Sequence, residues 1–411
     1  MVMLAGCSDN DSPEPQPVPE PEPETRVTDL SAEALANCYI VAEPGYYTLK
    51  ADNQFNLGPG LPVPPKISPA SAKLVWQSEP GLIASVELTE VEGEPYVSFE
   101  VGKARGNALL AVVNADGEIE WSWHIWMPEV EIESLASATG YDVMNLNLGA
   151  LNNQPGDAAS YGMLYQWGRK DPFPAAPSLT GDTSTVGAPL YDIDGNPVTV
   201  TNSSWFDNST NTIEYAIANP TVVLSNYSQF SRSRDWLQSD LSDDALWGNP
   251  LGDVRDTDTN SYVNKGMKTC YDPSPAGWRV APVDAFRDFT SSGGYAWDID
   301  DFNVADINGD AMIDIADYNY GWHFNVNVGT PLYFPAAARY DGSYAMLMGS
   351  VSGLWGSYWS NSPYSSINGG AFCALSFQVK GQNGEDFVTV SPSGGASRAD
   401  AYSIRCVRDT K

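Results

Sequence analysis

The chain has 411 residues, enough for two or three domains at ~100–200 residues each. Its hydrophobic fraction of 42% and aromatic fraction of 11% supply a real core, which argues against global disorder. The 52 acidic against 21 basic side chains give a net charge of −31, which phosphate backbones and anionic headgroups repel, so nucleic-acid binding and peripheral attachment to acidic membranes are disfavoured. No apolar run approaches the ~20 residues of a membrane span.

At the start, Leu4-Ala5-Gly6-Cys7 resembles a bacterial lipobox, in which the cysteine thiol is acylated after signal cleavage. Residues 1–7 read as a truncated lipoprotein signal, too short for a charged region and an apolar region before the cysteine. Ser8-Asp9-Asn10-Asp11 is similar to the acidic export signal that sends Bacteroidetes lipoproteins to the outer face of the outer membrane. Residues 8–24 carry six Pro and six acidic residues without Lys, Arg or an aromatic. Such a segment has nothing to bury, and its alternating prolines stiffen it toward polyproline II. As the core of a linker over residues 8–28, it spans roughly 50 Å at ~3.1 Å per residue.

Residues 29–135 read as an antiparallel β-sandwich module. Ala108–Val113 is a buried-strand run, Asp116-Gly117 is a hairpin signal, and Glu118–Trp126 is the return strand. Alternation puts Trp121, Trp123 and Ile125 on one face and Ser122, His124 and Trp126 on the other. His124, a strand residue among tryptophans, reads as a hydrogen-bonded structural histidine.

From about residue 136 the texture changes. Residues 176–210 are polar and read as a long surface loop with a hairpin at Asp194-Gly195. Thr212–Ala218, stopped by Asn219-Pro220, is a short helix, and Pro282–Phe289 is a second candidate. Short strands are expected at Leu332–Ala336, Ala374–Val379, Phe387–Val390 and Tyr402–Val407.

Seven stretches run in order over this half: Asn145–Ala150 (NLNLGA), Tyr165–Pro174 (YQWGRKDPFP), Tyr271–Val280 (YDPSPAGWRV), Tyr333–Ala337 (YFPAA), Gly356–Ser360 (GSYWS), Ala374–Phe377 (ALSF) and Ile404–Arg408 (IRCVR). Residues 136–411 thereby resemble the Fibrobacter succinogenes major paralogous domain of bacterial surface proteins. The resemblance implies a C-type-lectin-like α+β fold. Upstream, Ala36–Tyr47 (ANCYIVAEPGYY) resembles the β module that precedes this domain in Bacteroidetes fimbria-related proteins and adhesins. The expected fold is therefore α+β and β-rich: an N-terminal β-sandwich followed by a C-terminal C-type-lectin-like domain.

Cys38, Cys270, Cys373 and Cys406 remain once Cys7 is set aside, enough for two bridges in an oxidising compartment with three possible connectivities. The family usually has Cys where Ser274 stands. The resemblance then implies either a shifted bridge from Cys270 to Cys406 or a pairing of Cys406 with Cys373. No CxxC pair occurs, and His124 and His323 are the only histidines, so zinc is disfavoured.

Within an insert at residues 298–320, Asp306, Asn308, Asp310, Asp314 and Asp317 occupy positions 1, 3, 5, 9 and 12 of an EF-hand-type calcium loop. Position 7, Met312, would give its backbone carbonyl, and Ile313 is the apolar anchor. The loop resembles the dockerin type, which ends in Asp. Position 6 departs from the pattern: Ala311 stands where glycine usually accepts φ > 0. A solvated acidic loop is the alternative.

Tyr344, Trp355, Tyr358, Trp359 and Tyr364 lie among Gly, Ser and Asn, a composition suited to stacking on sugar rings and equally to the core of a β-rich domain. Of these, Trp355, Tyr358 and Trp359 are the candidate ligand-binding residues. No GxSxG, HExxH, P-loop or GxGxxG is present, and no catalytic residue stands out. The expected function is a non-enzymatic, lipid-anchored cell-surface adhesin or fimbria-associated protein that binds an extracellular glycan or protein. It would use Ca2+ and touch the membrane only through Cys7, and fimbrial subunits are further candidate partners. A glycan-capture lipoprotein of a nutrient-uptake system, a carbohydrate-active or modifying enzyme, and a pilus subunit polymerising by strand exchange are the alternatives.

Overall fold

The structure, a computed structural model, describes residue 1 and residues 26–180, 184–227, 234–238, 243–248, 255–256, 261–262, 266–325, 329–364, 370–380 and 386–409. Strand accounts for 37% and helix for 7%, so the α+β fold is dominated by sheet. Cys7 and the Pro-rich stretch lie outside the described residues.

Two sheets build the N-terminal part. Four strands run in the order Val27–Asp29, Gly45–Lys50, Glu94–Val101, Ile83–Val91. In Glu94–Val101 the alternate residues Val97, Phe99 and Val101 are buried, the period-2 pattern of a strand with one covered face. The second sheet contains Ser71–Gln77, Gly106–Val113, Ile119–Met127 and Cys38–Ile40 in that order. The hairpin expected at Asp116-Gly117 is present. Gly117 has φ 85°, and the Asn114 N–H donates to the Glu118 carbonyl at 2.9 Å. Gly106–Val113 is buried at every residue, so both of its faces are covered.

Part of that cover comes from further along the chain. The hairpin expected at Asp194-Gly195 is present, but residues 176–210 are not wholly a surface loop. Leu190–Tyr191 and Pro197–Val198 form a hairpin that joins the second sheet through Tyr191 and Gln77, and Leu190 is buried. The largest hydrophobic cluster runs from Ala36 and Leu49 through Trp121 and Trp167 to Ile404 and Cys406. The chain on either side of residue 136 therefore shares one core.

Among the described residues the remaining strands form a nine-stranded sheet, a second four-stranded one and three two-stranded ones. The large sheet places Ala401–Ser403 between Met163–Gln166 and Trp355–Tyr364, followed by Gly370–Lys380 and Asp386–Ser391. The small sheet has the order Trp278–Val280, Cys406–Arg408, Asp142–Met144, Ser134–Ala136. The strand expected at Tyr402–Val407 is thus two strands, broken at Ile404-Arg405, one in each sheet. At the break the fully buried Arg405 donates to Asn147 Oδ1 at 2.9 Å, the Asn145 carbonyl at 3.0 Å and the Tyr333 carbonyl at 2.9 Å. Three of the seven stretches meet on this one guanidinium.

The helix over Ile213–Ala218 is capped by Thr212, whose hydroxyl accepts from the Tyr215 N–H. The candidate at Pro282–Phe289 is a 3-10 helix over Val283–Phe289. No helix among the described residues is long and apolar enough to cross a membrane.

Candidate functional site

The acidic loop has the hydrogen bonding of an ordered turn series. Asp306 Oδ1 accepts from the Gly309 N–H at 2.6 Å and its Oδ2 from the Ala311 N–H at 2.8 Å. Asn308 Oδ1 accepts from Asp310, Asp310 Oδ1 from Met312, and Asp314 Oδ1 from Ala316. Asp317 is fully buried and closes the loop. Its Oδ1 accepts from Ile307 at 2.9 Å and its Oδ2 from Asp314 at 3.1 Å. Ala311 has φ 68°, the left-handed conformation that position 6 of a calcium loop requires. Ile313 is partly buried and packs against the hydrophobic cluster that contains Phe302 and Trp322.

Among the described residues no three carboxylate, imidazole or thiol groups converge as a metal-ligating cluster. The donor set is nevertheless all oxygen, as calcium prefers. Asp306, Asn308, Asp310, Asp314 and Asp317, with the Met312 carbonyl, are the groups that would hold the ion.

The aromatic candidates are not on the surface. Trp359 is fully buried and stacks on Tyr402 with centroids 4.2 Å apart, and its indole N–H donates to the Tyr165 carbonyl at 2.7 Å. Tyr358 is fully buried against Phe334 at 5.3 Å, with its hydroxyl donating to the Pro335 carbonyl at 2.6 Å. Trp355 is buried, with the Arg339 guanidinium 5.2 Å from its ring. Their strand is buried at every residue but the last, so both of its faces are covered and none of the three rings is open to a ligand. Tyr344, from the same stretch of sequence, is 65% exposed.

The open aromatics lie elsewhere. All tryptophans are buried except Trp205 and Trp297. Trp205 meets the exposed Tyr227 at 5.2 Å, and Trp297 meets the exposed Tyr295 at 4.6 Å. Sequence reasoning passed over both pairs. The signal was available at Ser203-Ser204-Trp205-Phe206-Asp207-Asn208-Ser209, where polar neighbours give a tryptophan little to bury against.

A fully buried serine–carboxylate contact emerges that spacing did not suggest. Ser122 Oγ donates to Asp171 Oδ1 at 2.6 Å, and Lys170 Nζ donates to the same oxygen at 2.7 Å and to the Ser122 carbonyl at 3.1 Å. All three side chains are buried, and Lys170 lies 4.6 Å from the Trp121 ring centroid. Burial lowers the lysine pKa, and the adjacent carboxylate partly opposes that shift. The neighbouring cavity is only about 10 Å³, room for one water and not for a substrate. The cluster is a buried polar brace.

His124 is likewise internal. It is 2.8 Å from Asn107 Oδ1 and 3.4 Å from the Tyr165 hydroxyl, and burial drives its pKa down to about 3. Cys38, Cys270 and Cys406 are buried free thiols, so the two-bridge arrangement does not form. The Cys373 side chain lies outside the described residues. Cys406 Sγ instead donates to Ser274 Oγ at 3.3 Å, across the contact where the resemblance places a bridge.

No family model, curated protein or solved structure matches the chain.

Proposed function

We propose that the chain is a non-enzymatic cell-surface binding protein, held at the outer face of the outer membrane by a lipid on Cys7. It acts as an adhesin or fimbria-associated subunit toward an extracellular glycan or protein, with Ca2+ in the 306–317 loop. The resemblance of residues 136–411 to the Fibrobacter major paralogous domain favours a C-type-lectin-like second module. The carrying observation is the set of solvent-open aromatic pairs, Trp205 with Tyr227 and Tyr295 with Trp297, on a chain that buries every other tryptophan. Exposed clusters of large aromatics mark recognition surfaces, because rigid rings give contact area at little entropic cost. The net charge of −31 supports solubility outside the cell and disfavours polyanionic partners. The sealing of Ser122, Lys170 and Asp171 supports binding without turnover.

The test is the full chain on an array of glycans and extracellular host proteins, with calcium and with chelator. Saturable binding to at least one member, with that member recovered unmodified, supports the reading. An array silent in both conditions overturns it, and turnover of a bound glycan overturns its non-enzymatic half.

A further inference from the structure

Three exposed aromatics that are far apart in sequence come from segments tied to one another. Trp205 and Tyr227 are in ring contact at 5.2 Å, and the Phe206 N–H donates to the Tyr227 carbonyl at 2.8 Å. The third segment is fastened to the second. The Ser225 hydroxyl donates to the Ser343 carbonyl at 3.0 Å, and the Asn226 N–H donates to the Gly342 carbonyl at 3.0 Å. Next in that segment stands Tyr344, whose N–H donates to Asp341 Oδ1 at 3.3 Å. The exposures are 53% for Trp205, 44% for Tyr227 and 65% for Tyr344.

We infer that Trp205, Tyr227 and Tyr344 form a stacking platform for a neutral glycan, with the Asp207 and Asp341 carboxylates accepting from its hydroxyls. The inference rests on the surface-binding reading and narrows its ligand to one class.

Sugar rings present C–H faces, which bind aromatic planes, and rims of hydroxyls, which need acceptors. A lipid partner would be met by continuous apolar surface. Here acids and hydroxyls interleave with the rings: Asp207 Oδ1 accepts from the Ser209 N–H and hydroxyl, both at 2.7 Å, and Asp341 Oδ1 accepts from the Ser343 N–H at 2.9 Å. Only one oxygen of each carboxylate is engaged in these bonds. Two carboxylates at the platform, on a chain of net charge −31, repel uronic and sulfated sugars and leave neutral ones. The backbone bonds hold the segments in place before a ligand arrives, so little ordering entropy is lost on binding.

The experiment is affinity electrophoresis of the full chain through gels containing a soluble β-glucan, a galactomannan or a xylan, with polygalacturonate as the anionic comparison. Retardation by at least one neutral polymer and none by polygalacturonate is expected. Trp205→Ala and Tyr344→Ala should each weaken it about tenfold, the loss of roughly one aromatic contact. Tyr46→Ala, an exposed aromatic on the Gly45–Lys50 strand away from the platform, should leave it unchanged. All three positions are exposed, and unaltered melting curves confirm folding. No retardation by any neutral polymer, equal retardation by polygalacturonate, or retardation indifferent to Trp205→Ala overturns the inference. Array capture of a protein ligand that survives Trp205→Ala also overturns it and leaves the surface-binding reading standing. A wholly silent array defeats that reading itself.

Discussion

Ser274→Cys should create a disulfide to Cys406. The two side chains are fully buried and already touch, Sγ to Oγ at 3.3 Å. Both backbones are pinned by one carboxylate: Asp272 accepts from the Ser274 N–H at 2.8 Å and from the Val280 N–H at 2.9 Å, and Val280 pairs with Cys406 across the small sheet. A bond there closes a loop across a sequence separation of 132 residues. The chain-entropy relation then gives about 5 kcal/mol at 25 °C for an unstrained bridge. Burial pushes the Cys406 thiol up to about 12, so thiolate is scarce in the native state and the bond should form only during folding. The assay is refolding in a glutathione redox pair, peptide mapping, and urea titration with and without reductant. The oxidised variant should unfold at higher urea than its reduced form, and Ser274→Cys/Cys406→Ser should show no such difference. If refolding leaves both thiols free, or if oxidation lowers the urea midpoint, the placement of the 271–280 turn against the Cys406 strand is refuted.

The 306–317 loop makes a second prediction. Ala311 at φ 68° carries a strain of about 1 kcal/mol that glycine removes, so Ala311→Gly should melt higher and show a larger upward shift with millimolar Ca2+. Asp306→Ala/Asp310→Ala should abolish the calcium shift, and a calcium-indifferent melt in wild type and Ala311→Gly counts against the ion. A third concerns pH. His124 is held near pKa 3 in the folded state against about 6.5 when unfolded, so the unfolded chain takes up the proton first. Its contribution is complete above about pH 6.5 and is lost as the pH falls toward 3, at up to about 1.4 kcal/mol per pH unit. Urea midpoints between pH 7 and 5 should fall with acid, and His124→Gln should flatten the slope. An unchanged slope in that variant would mean the imidazole is protonated in the fold.

Much of the local structure was legible in the sequence because it is decided by neighbours. Asp116-Gly117 supplies the positive φ of its hairpin, Thr212 caps its helix with its own hydroxyl, and the spacing of Asp306 to Asp314 sets turns whose side chains bond N–H groups two to five residues on. The β-rich class followed from alternation and turn density. Burial was another matter. Trp355, Tyr358 and Trp359 sit among Gly, Ser and Asn as a surface patch would, yet their strand is central in the nine-stranded sheet. The Ser122 contact with Asp171 spans 49 residues and the Arg405 contact with Asn147 spans 258, distances at which no local rule operates. The hairpin at Asp194-Gly195 was legible, but not that it leaves the surface loop to join a sheet begun more than a hundred residues earlier. A residue's turn, cap and alternation follow from the dihedral preferences of a few adjacent positions. Whether its side chain meets water follows from which distant segment packs over it, and that is fixed only when the whole chain has folded.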